Sequence, residues 1–183
     1  MDILLHICCG PCLIYPFGRL KDQGFKVSGF YYNPNIFPVT EFYRRMDGLK
    51  TLSQELSISV EYPEYQEAEF SQVIGTLGFK FKRCESCWSL RLYKTAHYAK
   101  ANGFRSFSTT LLVSPYQNHE LLKQIGYQVA QAVGVDFYYE DFRVGFKQAQ
   151  VEAKLRGIYR QKYCGCQYSM RPSSVKQLSA SRK

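Results

Sequence analysis

Residues 3–12 read Ile3-Leu4-Leu5-His6-Ile7-Cys8-Cys9-Gly10-Pro11-Cys12, and the break inside this stretch decides the fold. Residues 3–8 are a short apolar run, the pattern of a strand buried on both faces. Pro11 then suits the first turn of a helix, where a missing N–H costs nothing. That helix is expected over 11–23, with Gly24 as its stop.

The same alternation continues outward. Residues 26–32 form a second strand, broken by Asn33-Pro34-Asn35, and Pro38 closes the loop. Residues 40–56 are helical, with Phe42, Met46, Leu49 and Leu52 or Leu56 along one side. A third strand falls at 58–62, and helical patterns follow at 68–77 and 89–101, the latter stopped by Gly103. A fourth strand at 105–109, a helix at 118–133, a fifth strand at 136–140 and a helix at 146–155 complete the run. Strands alternating with helices predict an α/β fold, a Rossmann-like parallel sheet with helices on both faces. Residues 1–170 read as one α/β domain. Residues 171–183 read as a basic flexible tail, with Arg171, Lys176, Arg182 and Lys183 set among serines and no acid.

In such sheets ligands bind beyond the carboxyl ends of the strands. Cys8 and Cys9 end the first strand, Thr109 and Thr110 end the fourth, and Asp141 and Arg143 follow the fifth. One edge therefore collects sulfur and polar groups.

A chain of 183 residues buries about 70% of its unfolded surface and needs no disulfide or metal merely to fold. Its seven cysteines call for another explanation. Asp2 occupies the place of a basic leader segment, and no apolar run is long enough to span a membrane, so a cytoplasmic protein without membrane association is expected. Thiols stay reduced there and serve metals or redox chemistry. The net charge of +9 favours a polyanionic partner, nucleic acid being the commonest.

The cysteines fall into three groups: Cys8-Cys9-Gly10-Pro11-Cys12, Cys84-Glu85-Ser86-Cys87 and Cys164-Gly165-Cys166. Two thiolates from each of two segments make a four-sulfur cage, which suits zinc or an iron–sulfur cluster. Adjacent Cys8 and Cys9 are awkward for one small ion, whereas a cube offers several irons. A purely structural zinc site would also leave three cysteines unexplained. Both points favour iron–sulfur. Cys164 and Cys166, one glycine apart, permit a short strained loop, hence a readily reduced disulfide, although both could instead ligate metal. Nearby Arg156, Arg160 and Lys162 would stabilise thiolates.

Other segments are less specific. Thr109 and Thr110 offer hydroxyls to a phosphate, ribose or base, or simply cap a turn. Tyr32 and Asn33 combine an aromatic face with an amide, as RNA base recognition requires, or serve strand packing. Arg44 and Arg45 can meet phosphates or lie on a solvated helix face, and His6 reads as a core histidine. No G-x-x-x-x-G-K-[ST] or G-x-G-x-x-G occurs, so ATP and NAD are poorly supported.

Five segments carry a family resemblance: LLHICCGPC at 4–12, YYNPNIFPVTEFYRR at 31–45, RCESCWSLRL at 83–92, FSTTLLVSPYQ at 107–117 and YRQKYCGCQYS at 159–169. The sequence closely resembles the cobalamin-independent epoxyqueuosine reductases, the QueH family. The resemblance implies a fold like the adenine-nucleotide α-hydrolase group. It implies two-electron deoxygenation of epoxyqueuosine to queuosine in tRNA, with an external electron donor. It further implies a 4Fe–4S cluster on Cys8, Cys9, Cys84 and Cys87, and a redox-active pair at Cys164 and Cys166. An additional iron is implied beside the cluster, with Cys12 as its candidate ligand. Tyr32, Asn33, Arg44, Thr109, Thr110 and Arg143 are the candidate substrate contacts. The competing class is a zinc-binding RNA-interaction module without redox activity.

Overall fold

The structure is a computed structural model that describes residues 1–75 and 80–170. The expected basic tail and the end of the helix expected over 68–77 lie outside the described residues. Five parallel strands form one sheet: β1 (Asp2–His6), β2 (Lys26–Phe30), β3 (Val60–Glu61), β4 (Ser106–Thr109) and β5 (Asp136–Phe137). Their order is β3-β2-β1-β4-β5. The helices between them are α1 (Gly10–Asp22), α2 (Val39–Glu55), α3 (Glu67–Ile74), α4 (Lys80–Ala101), α5 (His119–Val133) and α6 (Phe146–Leu155).

The sheet grows outward from β1 in one direction, then returns to add β4 on its other side. Right-handed crossovers therefore put α1 and α2 on one face and α3, α4 and α5 on the other, and α6, after β5, returns to the α1 face. The packing agrees: α1 lies against α2 and α6, and α4 against α3 and α5. This is a Rossmann-like α/β arrangement. Its order reverses between β1 and β4, and that is where a crevice opens beyond the strand ends.

Burial on both faces explains the apolar opening run. Ile3, Leu4, Leu5 and Ile7 are at most 1% exposed. Each such side chain contributes about 1.5–3 kcal/mol when removed from water. His6 pairs in register with Phe30 on one side and Thr109 on the other, so Cys8 emerges just past the sheet edge. Helix α5 is set by its ends: the Asn118 side chain accepts from Leu121 N, and Gly134 at φ 77 ends it in the left-handed region.

Two features differ from expectation. The edge strands β3 and β5 are only two residues each, because each has one neighbour and the chain soon turns away into loops. Helix α4 begins at Lys80 rather than at residue 89. Its first turns carry Lys82, Arg83, Cys84, Glu85 and Cys87, which erase the apolar periodicity that a sequence pattern needs.

Helix α5 approaches β5 through Gly126, where an added Cβ would stand 2.2 Å from the Phe137 ring. Gly126→Ala should lower stability by about 1–3 kcal/mol through overpacking. Gly18→Ala, in a helical position with nothing within 4 Å, should hold or raise stability by up to about 1 kcal/mol. Thermal unfolding of the two variants beside the parent checks the contrast.

Candidate metal centre

Past β1 the backbone stays extended through Cys9 (φ −174, ψ 164) and enters α1 at Gly10. The Sγ atoms of Cys8, Cys9 and Cys12 all lie within 4.8 Å of one another. Gly10 permits the close approach of the 158–161 segment, since a Cβ there would meet Ile158 Cγ2 at 3.0 Å. The neighbouring strand fixes the turn. Cys8 N donates to Thr110 Oγ1 at 3.0 Å, and the Thr110 hydroxyl donates to Cys8 Sγ at 3.3 Å. One residue earlier, Thr109 Oγ1 lies 2.8 Å from His6 Nδ1 and accepts from Leu111 N at 3.1 Å.

His6 is fully buried, and burial, reinforced by the charge of Arg91, pushes its pKa down to about 3. It is therefore neutral. Its Nε2 faces the Tyr32 carbonyl at 3.1 Å and must carry the proton, so Nδ1 accepts from Thr109.

The second strand supplies Asn33, whose Nδ2 donates to Ile7 O at 2.9 Å and whose Oδ1 accepts from Arg91 at 2.6 Å. Tyr32 donates its hydroxyl to Glu69, which also pairs with Lys94 at 2.7 Å. Helix α4 brings Cys84, Cys87 and Arg91 at i, i+3 and i+7, one helical face. Cys87 is buried against Phe70 and Ile74, and Cys166 packs on that small cluster.

The 159–169 segment closes the site. Gln161 Nε2 lies 2.8 Å from Cys9 Sγ and 3.9 Å from Cys12 Sγ. Arg45 is 3% exposed; it pairs with Glu41 at 2.7 Å and donates to Cys164 O at 3.2 Å and Tyr163 O at 3.1 Å. Tyr159 donates to the other Glu41 oxygen at 2.9 Å, and Phe37 N donates to Gly165 O at 2.9 Å. Gly165 adopts φ +127, where an added Cβ would also stand 3.0 Å from Asn35 Nδ2 and 3.2 Å from Arg45. Only glycine fits there. Cys164 and Cys166 are free thiols 3.7 Å apart, against about 2.0 Å in a disulfide.

The thiols are not equivalent. Hydrogen bonds from Cys12 and then Cys9 hold Cys8 well below its ordinary pKa, against the opposing effect of burial. Burial raises Cys9, and the bond it gives Cys8 raises Cys12. Cys8 is thus the most readily ionised thiol of the triad, and a metal would displace the protons that the three hold. Cys164 is pulled down to about 5 by the hydrogen bond from Cys166 and is bonded to Ser169 as well, while that same pairing raises Cys166.

Three buried polar atoms without partners sit on residues of this same neighbourhood: Asn35 Oδ1, Arg91 Nε and Gln161 Oε1. Each costs about 1–3 kcal/mol if nothing answers it. Converging soft sulfur donors beside orphaned polar groups suit a metal or a metal–sulfur cluster.

The structure brings Cys8, Cys9 and Cys12 together, with Cys84 and Cys87 on α4 outside that closest set. Thr109 and Thr110 spend their hydroxyls on the cysteine turn. Arg44 and Arg143 face solvent, Arg44 stacked 4.0 Å over Tyr159 and Arg143 held by Asp141 at 2.8 Å. Arg45, expected to reach phosphates, is instead enclosed by Glu41 and the cysteine loop. Arg91, Gln161 and the Glu41–Arg45 pair escaped sequence reasoning. Arg91 would have been found had α4 been extended back through Cys84, since it then falls on the face of Cys87.

The epoxyqueuosine reductase QueH family model matches residues 3–172. The chain belongs to that family. An epoxyqueuosine reductase QueH of Thermotoga maritima is 36% identical, covering 99% of this chain and 96% of the relative. One of Dehalococcoides mccartyi is 38% identical over 91% of each chain. A third, of Helicobacter pylori, is 33% identical over 92% of this chain and 49% of its own length. The QueH proteins are oxidoreductases, so this chain is an enzyme of that class. Among the described residues, no helix is long and apolar enough to cross a membrane.

In reduced, metal-free protein Cys164 should be the first thiol alkylated. Its rate should rise through about pH 5, far below the ordinary thiol range near ~8.5. Deprotonation creates the nucleophile, so the rate climbs with pH and then levels. Gly165→Ala should undock the loop and abolish that selectivity. Peptide mapping after a short iodoacetamide pulse reads both.

Proposed function

We propose that this chain reduces epoxyqueuosine in tRNA to queuosine. A 4Fe–4S cluster on Cys8, Cys9, Cys84 and Cys87, an additional iron beside Cys12, and a redox pair at Cys164 and Cys166 serve the reaction. The observation that carries the proposal is a triad of free thiols beyond β1 whose Cys9 is touched by Gln161, from the same docked segment that carries a second free thiol pair. Two sulfur centres of different exposure suit a two-electron reduction better than a structural metal knot does.

Removing the epoxide oxygen breaks both C–O bonds, forms a carbon–carbon double bond and releases water. Two electrons and two protons are required. When bound, the metal centre supplies electrons singly and Lewis acidity toward oxygen. The chain's own residues do the rest. Cys164 and Cys166 together hold two electrons and end as a disulfide; with Cys164 already ionised, Cys166 brings one of the two protons and solvent the other. Cys164, the lower of the two in pKa, is the sulfur that enters the reaction as thiolate. An external electron donor resets the pair. Arg45 and Phe37 hold the loop by its backbone, so that both thiols remain free to change state. Arg44 and Arg143, both exposed, stand ready for phosphates. Such contacts release counterions, so tRNA affinity should fall steeply between 50 and 200 mM salt, on the order of 10³-fold if about six phosphates are met.

Anaerobic purification with metal analysis and a visible spectrum is the deciding test. About four or more irons per chain, with a broad band near ~400 nm bleached by dithionite, supports the proposal. A colourless protein with stoichiometric zinc and no turnover of epoxyqueuosine tRNA would replace it with a zinc-binding RNA module. Cys164→Ser should keep the cluster band while losing turnover by about 10²-fold or more. Loss of the band in that variant would assign Cys164 to metal binding instead.

A further inference from the structure

Two arginines are buried in this site, and they are compensated differently. Arg45, 3% exposed, pairs with the Glu41 carboxylate at 2.7 Å. Arg91, 4% exposed, has no carboxylate partner among the described residues. One of its terminal nitrogens donates to Asn33 Oδ1 at 2.6 Å, and its Nε has no partner among the described residues. A guanidinium cannot shed its proton to escape burial. An uncompensated buried charge costs several kcal/mol. Some anion must answer it.

The groups around Arg91 identify that anion. Cys87 is one turn back on the same face of α4. On its other side Arg91 is held by Asn33, which is itself bonded to Ile7 O, one residue before Cys8 at the end of β1. Asn33, the side chain that holds it, is neutral. With no carboxylate paired to Arg91 among the described residues, the sulfurs of Cys87 and Cys8 are the anionic groups on the two elements that it joins.

We propose that Arg91 is the charge-balancing residue of the metal–sulfur centre, an internal cation that offsets thiolate charge at Cys8 and Cys87 and raises the centre's reduction potential. This rests on the cluster assignment above. A thiolate-ligated cluster is anionic and gains one more negative charge on reduction. A fixed cation in a low-dielectric pocket therefore favours the reduced form, and its removal favours the oxidised one. Asn33 fixes where that cation sits, through a bond to Oδ1 while its Nδ2 is anchored on Ile7 O.

The test is a dye-mediated redox titration of the reconstituted full chain, followed by the visible band and by the reduced cluster's paramagnetic signal. It compares the parent with Arg91→Lys, Arg91→Gln and Arg91→Met. At a fixed solution potential near the parent's midpoint, Gln and Met should lower the reduced-to-oxidised ratio about tenfold. That corresponds to ~59 mV for a one-electron couple. Lys should stay within about threefold of the parent. Arg91→Gln keeps a donor for Asn33, so a shift in it reports charge and not a lost hydrogen bond. Midpoints unchanged across all three variants, whatever their melting temperatures, would overturn the proposal while leaving the cluster in place. A parent chain that takes up no cluster would overturn the cofactor assignment itself, and this inference with it.

Discussion

The hydrogen bond from Cys8 N to Thr110 Oγ1 ties the cysteine turn of β1 to the end of β4, and most of the site depends on that tie. It exists because strand order reverses between β1 and β4, which leaves two strand ends adjacent with no crossover covering them. The Thr109 and Thr110 side chains fill the gap from one side, His6 and Asn33 from the other. With the backbone at Cys8 so held, Cys9 and Cys12 can fall on the first turn of α1 with their sulfurs converging. Loosening this tie would release the three sulfurs before it disturbed the sheet, whose core lies in the aliphatic residues of β1.

The centre is an island of buried polar groups inside an apolar fold. His6, Asn33, Glu41, Arg45, Arg91, Thr109 and Thr110 are all buried. Such groups are costly unless each finds a partner, so they form chains in which one contact fixes the next. Glu41 binds both Arg45 and Tyr159, and Arg45 then binds the carbonyls of Tyr163 and Cys164. A loop near the end of the described chain is thus positioned by a helix near its beginning. This arrangement accounts for a shape that hydrophobic packing alone would not specify: a thiol pair, Cys164 exposed and Cys166 half-buried, on a backbone held by hydrogen bonds.

Much of the architecture was legible in local pattern. The buried strand before Pro11, the Asn-Pro break after β2 and the glycine stops at Gly24, Gly103 and Gly134 follow from rules that act over a few residues. Grouped cysteines marked the centre for the same reason, since thiols recur in clusters only where something must be chelated or oxidised. The helix carrying Cys84 and Cys87 was foreshortened, because a helix that turns a polar and sulfur-bearing face inward lacks the apolar stripe by which helices are recognised. The adjacent pair Arg44 and Arg45 looked alike in sequence; one faces solvent and the other is enclosed, since successive helical residues point in directions about 100° apart.

By itself, then, the sequence determined the alternating α/β order, the reversal-prone parallel sheet, the sulfur-rich edge and the family. These are local or compositional properties, set by periodicity, turn chemistry and motif. Only the tertiary structure decided which thiols meet, that Gln161 lies on Cys9, that Arg45 serves the loop, and that Arg91 has no carboxylate partner among the described residues. Those facts depend on contacts between segments far apart in the chain. Their geometry comes from packing of the whole sheet, and no short-range pattern encodes it.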